Sequence, residues 1–157
     1  MKTIRKFPHK IKVLEKGVWI PMKRGDRLAA RIWLPEDAGP DNPMPALLEY
    51  IPYRKRDMTR GGDEPKHSYF AGHGYASVRV DMAGAGDSFG VMRDEYARQE
   101  LSDGKEIIAW LARQSWCNGK VGMFGISWGG FNSLQVAALR PPALKAIVTS
   151  CSTDDRY

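Results

Sequence analysis

The chain has 157 residues, of which 43% are hydrophobic and 27% charged, a balance that is typical of one globular domain and excludes a disordered chain. The net charge of +6 comes from basic clusters that no nucleic-acid-binding motif accompanies, so we interpret them as a solvated surface and predict no nucleic-acid partner. No apolar run could span a membrane, and no apolar core follows the basic first residues, so we expect no membrane partner, no secretory signal and a cytoplasmic protein.

The chain begins with a predicted β-hairpin. Residues 18–22 form a short β-like run, and residues 27–34 alternate apolar and polar side chains, with a glycine turn between the two segments. We expect this hairpin to lie at the edge of a sheet.

After the hairpin, apolar strands alternate with helices. The region from residue 54 to about Pro65 is predicted to be a basic loop, and Asn118-Gly119 a turn. This alternation predicts an α/β fold whose sheet is mostly parallel and covered by helices on both faces. The predicted strands cover residues 46–51, 75–81, 121–124 and 144–150, and the predicted helices cover residues 67–72, 95–114 and 131–139.

We predict neither a cofactor nor a metal. The glycines at 84–90 resemble a dinucleotide-binding fingerprint, but three residues separate the last two glycines and no helix opens on them. We therefore interpret this segment as a glycine-rich turn, with Asp81 as its anchor. The two cysteines, Cys117 and Cys151, do not have the spacing of metal ligands, and we expect both to be reduced.

The strand over 121–124 and the helix after it enclose a Gly-x-Ser-x-Gly segment with Ser127 at its centre. A strand, a sharp turn and a helix in this order are the context of a nucleophile elbow. In such a turn the strand and the helix pass close together, so side chains at Gly125 and Gly129 would collide. The turn also lifts the Ser127 hydroxyl clear of the sheet, at the positive end of a helix. We therefore predict that Ser127 is a nucleophile.

Several segments in order resemble one family. From about Val18 to its end, the chain is similar to the serine hydrolases of the cocaine-esterase and X-Pro dipeptidyl-peptidase group (CocE/NonD-type hydrolases), within the α/β-hydrolase fold. One residue departs from the family pattern: Ala83 stands where an Asp-x-Arg-Gly turn usually has arginine, and we expect this to alter loop packing. The segments that carry the resemblance are Ile51-Pro52-Tyr53, Asp81-x-x-Gly84-x-Gly86-x-Ser88-x-Gly90, residues 116–125, the elbow itself and Pro142-x-Leu144-Lys145-Ala146-Ile147.

The resemblance implies a catalytic site that cleaves acyl bonds through a covalent acyl-enzyme. Ser127 would attack, a histidine would take its proton, and a carboxylate would orient the histidine. The resemblance also implies that the backbone N–H of Trp128 and the hydroxyl of Tyr53 form the oxyanion hole. From its position alone, Tyr53 would be interpreted as a packing aromatic at a strand end. The implied substrates are small-molecule esters, amides or short peptides.

The general base has no candidate in the sequence. His9, His67 and His73 all precede Ser127, whereas α/β-hydrolases have the order serine, acid, histidine. We interpret His67 and His73 as surface or structural residues.

The triad acid is also unassigned. Asp154 and Asp155 follow the last strand, where some hydrolases have the acid, but the resembled family has it one strand later. We therefore expect residues 1–157 to be the N-terminal part of a catalytic domain, truncated after the strand that follows the nucleophile helix and inactive on its own.

Two classes of function remain open. The first is a hydrolase, within which carboxylesterase, X-Pro dipeptidyl-peptidase and acylase activities are not separated. The second is a non-catalytic α/β binding module, which the missing histidine favours and the intact elbow and Tyr53 oppose. The oligomeric state is left open.

Overall fold

The computed structural model describes residues 7–155. Strands and helices alternate along most of this part of the chain, as the apolar pattern predicts. The elements are β1 (Ile11–Leu14), β2 (Trp19–Pro21), β3 (Arg27–Pro35), β4 (Met44–Ile51), α1 (Arg60–Gly72), β5 (Ala76–Asp81), α2 (Arg98–Ala112), β6 (Cys117–Ile126), α3 (Trp128–Ala138) and β7 (Leu144–Ser150).

The strands form one seven-stranded sheet in the order β1-β3-β5-β4-β6-β7, with β2 also paired to β3. The pairs that join β4 to β5, β4 to β6 and β6 to β7 are parallel, whereas β1, β2 and β5 pair with β3 in antiparallel fashion. The sheet is therefore mixed, with four strands (β5, β4, β6 and β7) paired in parallel and an antiparallel part at β1–β3, and the β2–β3 hairpin is confirmed. In a parallel sheet the carboxyl ends of the strands share one edge, and that edge is where the site lies.

The hairpin lies at the edge of the sheet, as predicted, because β2 is an edge strand and β3 joins it to the rest of the sheet. Strand β5 pairs along one side of β3, and β1 and β2 pair along its other side, so these two short strands form the edge. Every residue of β3 after Arg27 is buried. A strand covered in this way is interior. Strand β1, which the sequence did not predict, pairs with the second half of β3.

Helices cover both faces of the sheet, as predicted. Helices α2 and α3 pack on each other and on one face, where Ile108 and Val136 join the buried cluster that includes Leu48 and Val78. Side chains alternate along a strand, so Glu49 and its register partner Arg79 on β5 point to the opposite face. Helix α1 lies there, with His67 bonded to Glu49.

Helix α1 begins at Arg60, so the predicted loop to about Pro65 and the predicted start at residue 67 are wrong. Pro65 lies inside the helix. Proline is costly inside a helix because it removes one hydrogen bond, but here the first turns are held by tertiary contacts. Asp63 is buried, accepts the Thr59 hydroxyl at 2.7 Å and lies 3.5 Å from the Arg79 guanidinium.

Asn118-Gly119, predicted to be a turn, lies within β6. The register of β4 against β6 shifts between the pairs Met44–Cys117 and Ala46–Val121, so β6 carries extra residues there. Gly119 has φ +80°, a value suited to a bulge. Asn118 and Gly119 therefore form a bulge within β6. The strand that leads to Ser127 is thus longer than the apolar run at residues 121–124.

Candidate active site

Ser127 lies at the junction of β6 and α3, in a backbone conformation that is rare for a residue with a side chain. Its φ is 53° and its ψ is −116°. The Ser127 N–H donates to the Ser150 carbonyl at 2.9 Å, and the Phe131 N–H donates to the Ser127 carbonyl at 2.9 Å. These bonds tie the strained residue to β7 and to α3, while Ser127 itself remains exposed. The arrangement presents the hydroxyl above the carboxyl edge of the sheet.

The collision predicted for the elbow glycines is present. A Cβ placed on Gly125 would lie 2.4 Å from the carbonyl carbon of Gly129, and a Cβ on Gly129 would lie 2.9 Å from Cγ2 of Ile51. Carbon atoms in contact are ordinarily about 3.5–4.0 Å apart. The sharp turn at Ser127 therefore depends on the absence of side chains at both positions.

The structure brings Tyr53 and Trp128 to the same edge as Ser127. Tyr53 follows β4, which neighbours β6, and its ring meets the Trp128 ring edge to face, with centroids 6.4 Å apart and planes at 89°. Trp128 is the first residue of α3, so its backbone N–H has no acceptor within the helix. Ser127, Tyr53 and the N-terminus of α3 thus lie at the same edge of the sheet.

A buried carboxylate supports Trp128 from α2. The Trp128 indole Nε1 donates to Glu100 Oε1 at 3.0 Å, and the Tyr96 backbone N–H donates to Glu100 Oε2 at 2.9 Å. Burial raises the pKa of Glu100, and the two donors oppose that rise. The rings of Tyr96 and Trp128 lie 5.4 Å apart, so the region beside Ser127 has an aromatic wall.

Sequence reasoning missed Glu100. The signal was present, because Glu100 precedes Ile107 and Ile108 by seven and eight residues on the buried stripe of α2. An acidic residue in a buried stripe needs a donor to compensate for its burial, and the donors come from Tyr96 and Trp128. Nothing in the pattern identified those partners.

Asp81 anchors the glycine-rich turn, as the sequence predicts. It ends β5, is fully buried, and accepts the backbone N–H of Asp87 at 3.4 Å. It also accepts the backbone N–H of Lys55 at 2.9 Å, a contact that the sequence did not predict.

None of the histidines among residues 7–155 is placed to take a proton from Ser127. His67 is fully buried on the side of α1 that packs on the sheet, where Nδ1 meets Ser77 Oγ at 2.7 Å and Nε2 meets Glu49 Oε2 at 3.1 Å. Burial lowers the pKa of His67, an effect that Glu49 opposes. His67 is therefore a structural residue, in agreement with the prediction.

The other two histidines lie away from the elbow. His73 follows α1 at the amino end of β5, and its Nδ1 lies 2.7 Å from the Tyr69 carbonyl oxygen. His9 lies nearby, because its backbone N–H donates to the Gly72 carbonyl at 3.1 Å. The amino end of a parallel strand is opposite the edge that carries Ser127.

Glu49, Asp63 and His67 have the composition of a metal site, but their carboxylates already lie beside the charged side chains of Lys66 and Arg79. Ligand atoms of Glu49, Asp63 and His67 lie within 4.8 Å of one another. Lys66 Nζ lies 2.7 Å from Glu49 and 3.4 Å from Asp63, and Arg79 Nε lies 3.5 Å from Asp63. We interpret the cluster as an ion-pair network that fixes α1 on the sheet.

The remaining predicted residues lie at the surface or in the core. Asp154 and Asp155 are exposed beyond β7. Cys117 is buried and Cys151 exposed, and both are free thiols, as predicted. In the part of the chain that the structure describes, no helix combines the length and the apolar character needed to cross a bilayer.

Comparisons with known proteins agree on one family. Residues 24–157 match the family model described as X-Pro dipeptidyl-peptidase (S15 family). Cocaine esterase of Rhodococcus sp. is 34% identical over 142 residues, which cover 90% of this chain and 24% of that protein.

Two solved structures support the same assignment. A CocE/NonD family hydrolase from Staphylococcus aureus matches with a TM-score of 0.75 and 26% identity, over 87% of this chain and 27% of that one. An alpha-amino acid ester hydrolase matches with a TM-score of 0.68 and 28% identity, over 94% of this chain and 26% of that one. The chain thus spans about a quarter of the length of the relatives it matches.

Proposed function

The chain belongs to the X-Pro dipeptidyl-peptidase (S15) family and has the α/β-hydrolase fold, and on this premise we propose that it supplies the nucleophile and the oxyanion hole of a serine hydrolase. The complete protein would cleave ester or amide bonds through an acyl-enzyme at Ser127. The observation that carries this proposal is the strained Ser127 between β6 and α3, with Tyr53 and Trp128 beside it.

Each residue has a chemical task in this mechanism. The Ser127 hydroxyl attacks the carbonyl carbon of the substrate while a histidine accepts its proton. The carbonyl oxygen becomes an oxyanion, to which the Trp128 N–H and the Tyr53 hydroxyl donate hydrogen bonds. The N-terminus of α3 favours the same negative charge. As the intermediate collapses, the histidine gives the proton to the leaving group, which departs as the alcohol or amine, and water then hydrolyses the acyl-enzyme.

We propose that the histidine and the acid come from a segment outside this chain, so that residues 1–157 are the N-terminal part of the catalytic domain. Two observations support this. The described histidines are engaged elsewhere or lie at the opposite edge of the sheet, and the chain covers about a quarter of its relatives. The location in the cytoplasm stays a prediction.

The substrates we propose are small esters, amides or short peptides. The relatives include proteins named cocaine esterase and Xaa-Pro dipeptidyl-peptidase, so ester and peptide substrates both need to be tested. A p-nitrophenyl ester and an Xaa-Pro p-nitroanilide separate carboxylesterase from dipeptidyl-peptidase activity, and an acylated amine tests for acylase activity.

The test uses the complete protein and a fluorophosphonate probe, which modifies activated serines. We expect labelling at Ser127, located by peptide mass spectrometry, and loss of ester hydrolysis in Ser127→Ala. Labelling of another serine in active protein would contradict the assignment. If the complete protein neither reacts with the probe nor hydrolyses any of the substrates, the second candidate, a non-catalytic module, gains support. The observation that favours this candidate is the absence of a suitably placed histidine among residues 7–155.

A further inference from the structure

The loop that carries Tyr53 has a backbone that needs support. Arg54, the next residue, has φ +45°, in the left-handed region that residues with a side chain rarely adopt. Such a residue keeps its conformation when contacts around it determine it. The orientation of Tyr53 therefore depends on what holds the peptide units on either side of Arg54.

A buried carboxylate from the neighbouring strand holds the loop on one side. The Lys55 backbone N–H donates to Asp81 Oδ1 at 2.9 Å, and Asp81 is 0% exposed. Asp81 pairs in register with Ile51, the last residue of β4, so the strand pairing itself brings the carboxylate to the start of the loop. Lys55 and Tyr53 are separated by Arg54 alone.

The second oxygen of the same carboxylate faces the glycine-rich turn. A Cβ on Gly86 would lie 2.1 Å from Asp81 Oδ2 and 3.3 Å from the Cα of Arg54. The turn is therefore packed against both the carboxylate and the Tyr53 loop, and it has no room for a side chain at Gly86. Asp81 joins the two segments.

Two buried cations compensate for the charge of this carboxylate. Lys55 Nζ lies 3.6 Å from Asp81 Oδ2, and Arg79 Nη1 lies 3.5 Å from Oδ1. Lys55 Nζ also binds Asp87 in the glycine-rich turn at 2.7 Å. The carboxylate is thus fixed by its surroundings and can serve as a rigid support.

We propose that Asp81 is the positioning residue for Tyr53. By holding the Lys55 N–H, it maintains the left-handed Arg54 and thereby the direction of the phenol. This inference rests on the proposed role of Tyr53 as an oxyanion donor. Donors of an oxyanion hole act because they are oriented before the charge develops, so loss of the support should lower kcat more than it raises KM.

A double-mutant cycle in the complete protein tests the proposal, with kcat and KM measured on the ester or amide that the protein cleaves. Tyr53→Phe should lower kcat about 100- to 1,000-fold, as loss of one oxyanion donor does. Asp81→Ala should lower kcat about 100-fold, the effect of a misplacement of roughly 1 Å. The double variant should be no slower than Tyr53→Phe, because Asp81 acts through Tyr53. If the double variant instead shows a loss of kcat equal to the product of the two single losses, the proposal is overturned.

A pair of glycine substitutions tests the same point without removing a buried charge. In Gly86→Ala the new methyl group displaces the Asp81 carboxylate, so kcat should fall as in Asp81→Ala. Gly119→Ala is the matched control, because Gly119 also has a positive φ but has nothing within 4 Å of a new Cβ. It should keep the kcat of the wild type. Equal kcat values for the two variants would overturn the proposal.

Failure of this inference is distinguishable from failure of the proposed function. If Tyr53→Phe keeps the kcat of the wild type, the oxyanion role of Tyr53 is wrong and the inference falls with it. If Tyr53→Phe loses activity while Asp81→Ala and Gly86→Ala do not, the oxyanion role stands and Asp81 has no part in it.

Discussion

Replacing Gly125 by alanine should break the elbow. The added Cβ would lie 2.4 Å from the carbonyl carbon of Gly129 and 2.6 Å from its Cα. Ordinary contacts between carbons are about 3.5–4.0 Å, so strand and helix would have to separate by about 1 Å. Both obstructing atoms belong to the backbone, and no rotamer change can relieve the contact.

The energetic cost follows from this geometry. Overpacking of a well-packed site typically costs about 1–3 kcal/mol, and it costs more where the surroundings cannot shift. At Gly125 the surroundings are a β6–β7 ladder and the first turn of α3, so we expect a loss of about 3 kcal/mol or more in the free energy of unfolding. The strained backbone of Ser127 should relax at the same time.

Urea unfolding measures the first effect, and the rate of labelling by a fluorophosphonate measures the second. Gly62→Ala is the matched control, because it adds the same methyl group within α1, where nothing lies within 4 Å. There alanine should stabilise the helix by up to about 1 kcal/mol. A loss below about 1 kcal/mol in Gly125→Ala, with labelling of Ser127 at the rate of the wild type, would refute the steric account.

Three further predictions concern single side chains. Tyr53→Phe should leave the melting temperature within a few degrees of the wild type while kcat falls about 100- to 1,000-fold, and a kcat within a few-fold of the wild type would mean that Tyr53 only packs. Burial raises the pKa of Glu100, so its ionisation opposes folding. As pH rises from about 4 to about 7, the wild type should therefore lose unfolding free energy relative to Glu100→Gln. A difference in urea midpoints that stays constant over this pH range would contradict the prediction. Asn132→Ala should cost about 1–3 kcal/mol in unfolding free energy, because the buried amide donates to the Tyr50 carbonyl at 2.6 Å, and a cost near zero would show that this bond is not needed.

The sequence by itself determined two strands and the elbow, which depend on residues close together in the chain. The strand predicted at residues 144–150 matches β7, and the strand predicted at 75–81 differs from β5 by one residue, because both segments are rich in β-branched residues, which favour strands. The elbow was predictable as well, since Gly125 reflects a contact with Gly129 between segments that adjoin in the chain.

Local rules failed where distant contacts outweighed them. Pro65 predicted a loop, but the partners of Asp63 come from Thr59 and from Arg79 on β5, and they hold the helix from its first turns. Asn118-Gly119 predicted a turn, but the pairing of β6 with β4 continues past these residues as a bulge. The deciding partner is Arg79 on β5 in the first case and the strand β4 in the second, and neither belongs to the local segment.

Tertiary structure alone decided which carboxylates support the site. The sequence marks Asp81 as the anchor of a turn and places Glu100 on the buried stripe of α2, but it identifies neither the Lys55 N–H nor the Trp128 indole as their donors. The packing of α2 on α3 brings Glu100 to the Trp128 indole, and the register of β4 against β5 brings Asp81 to the Lys55 N–H. A buried charge is stable only with such donors, and the fold is what supplies them.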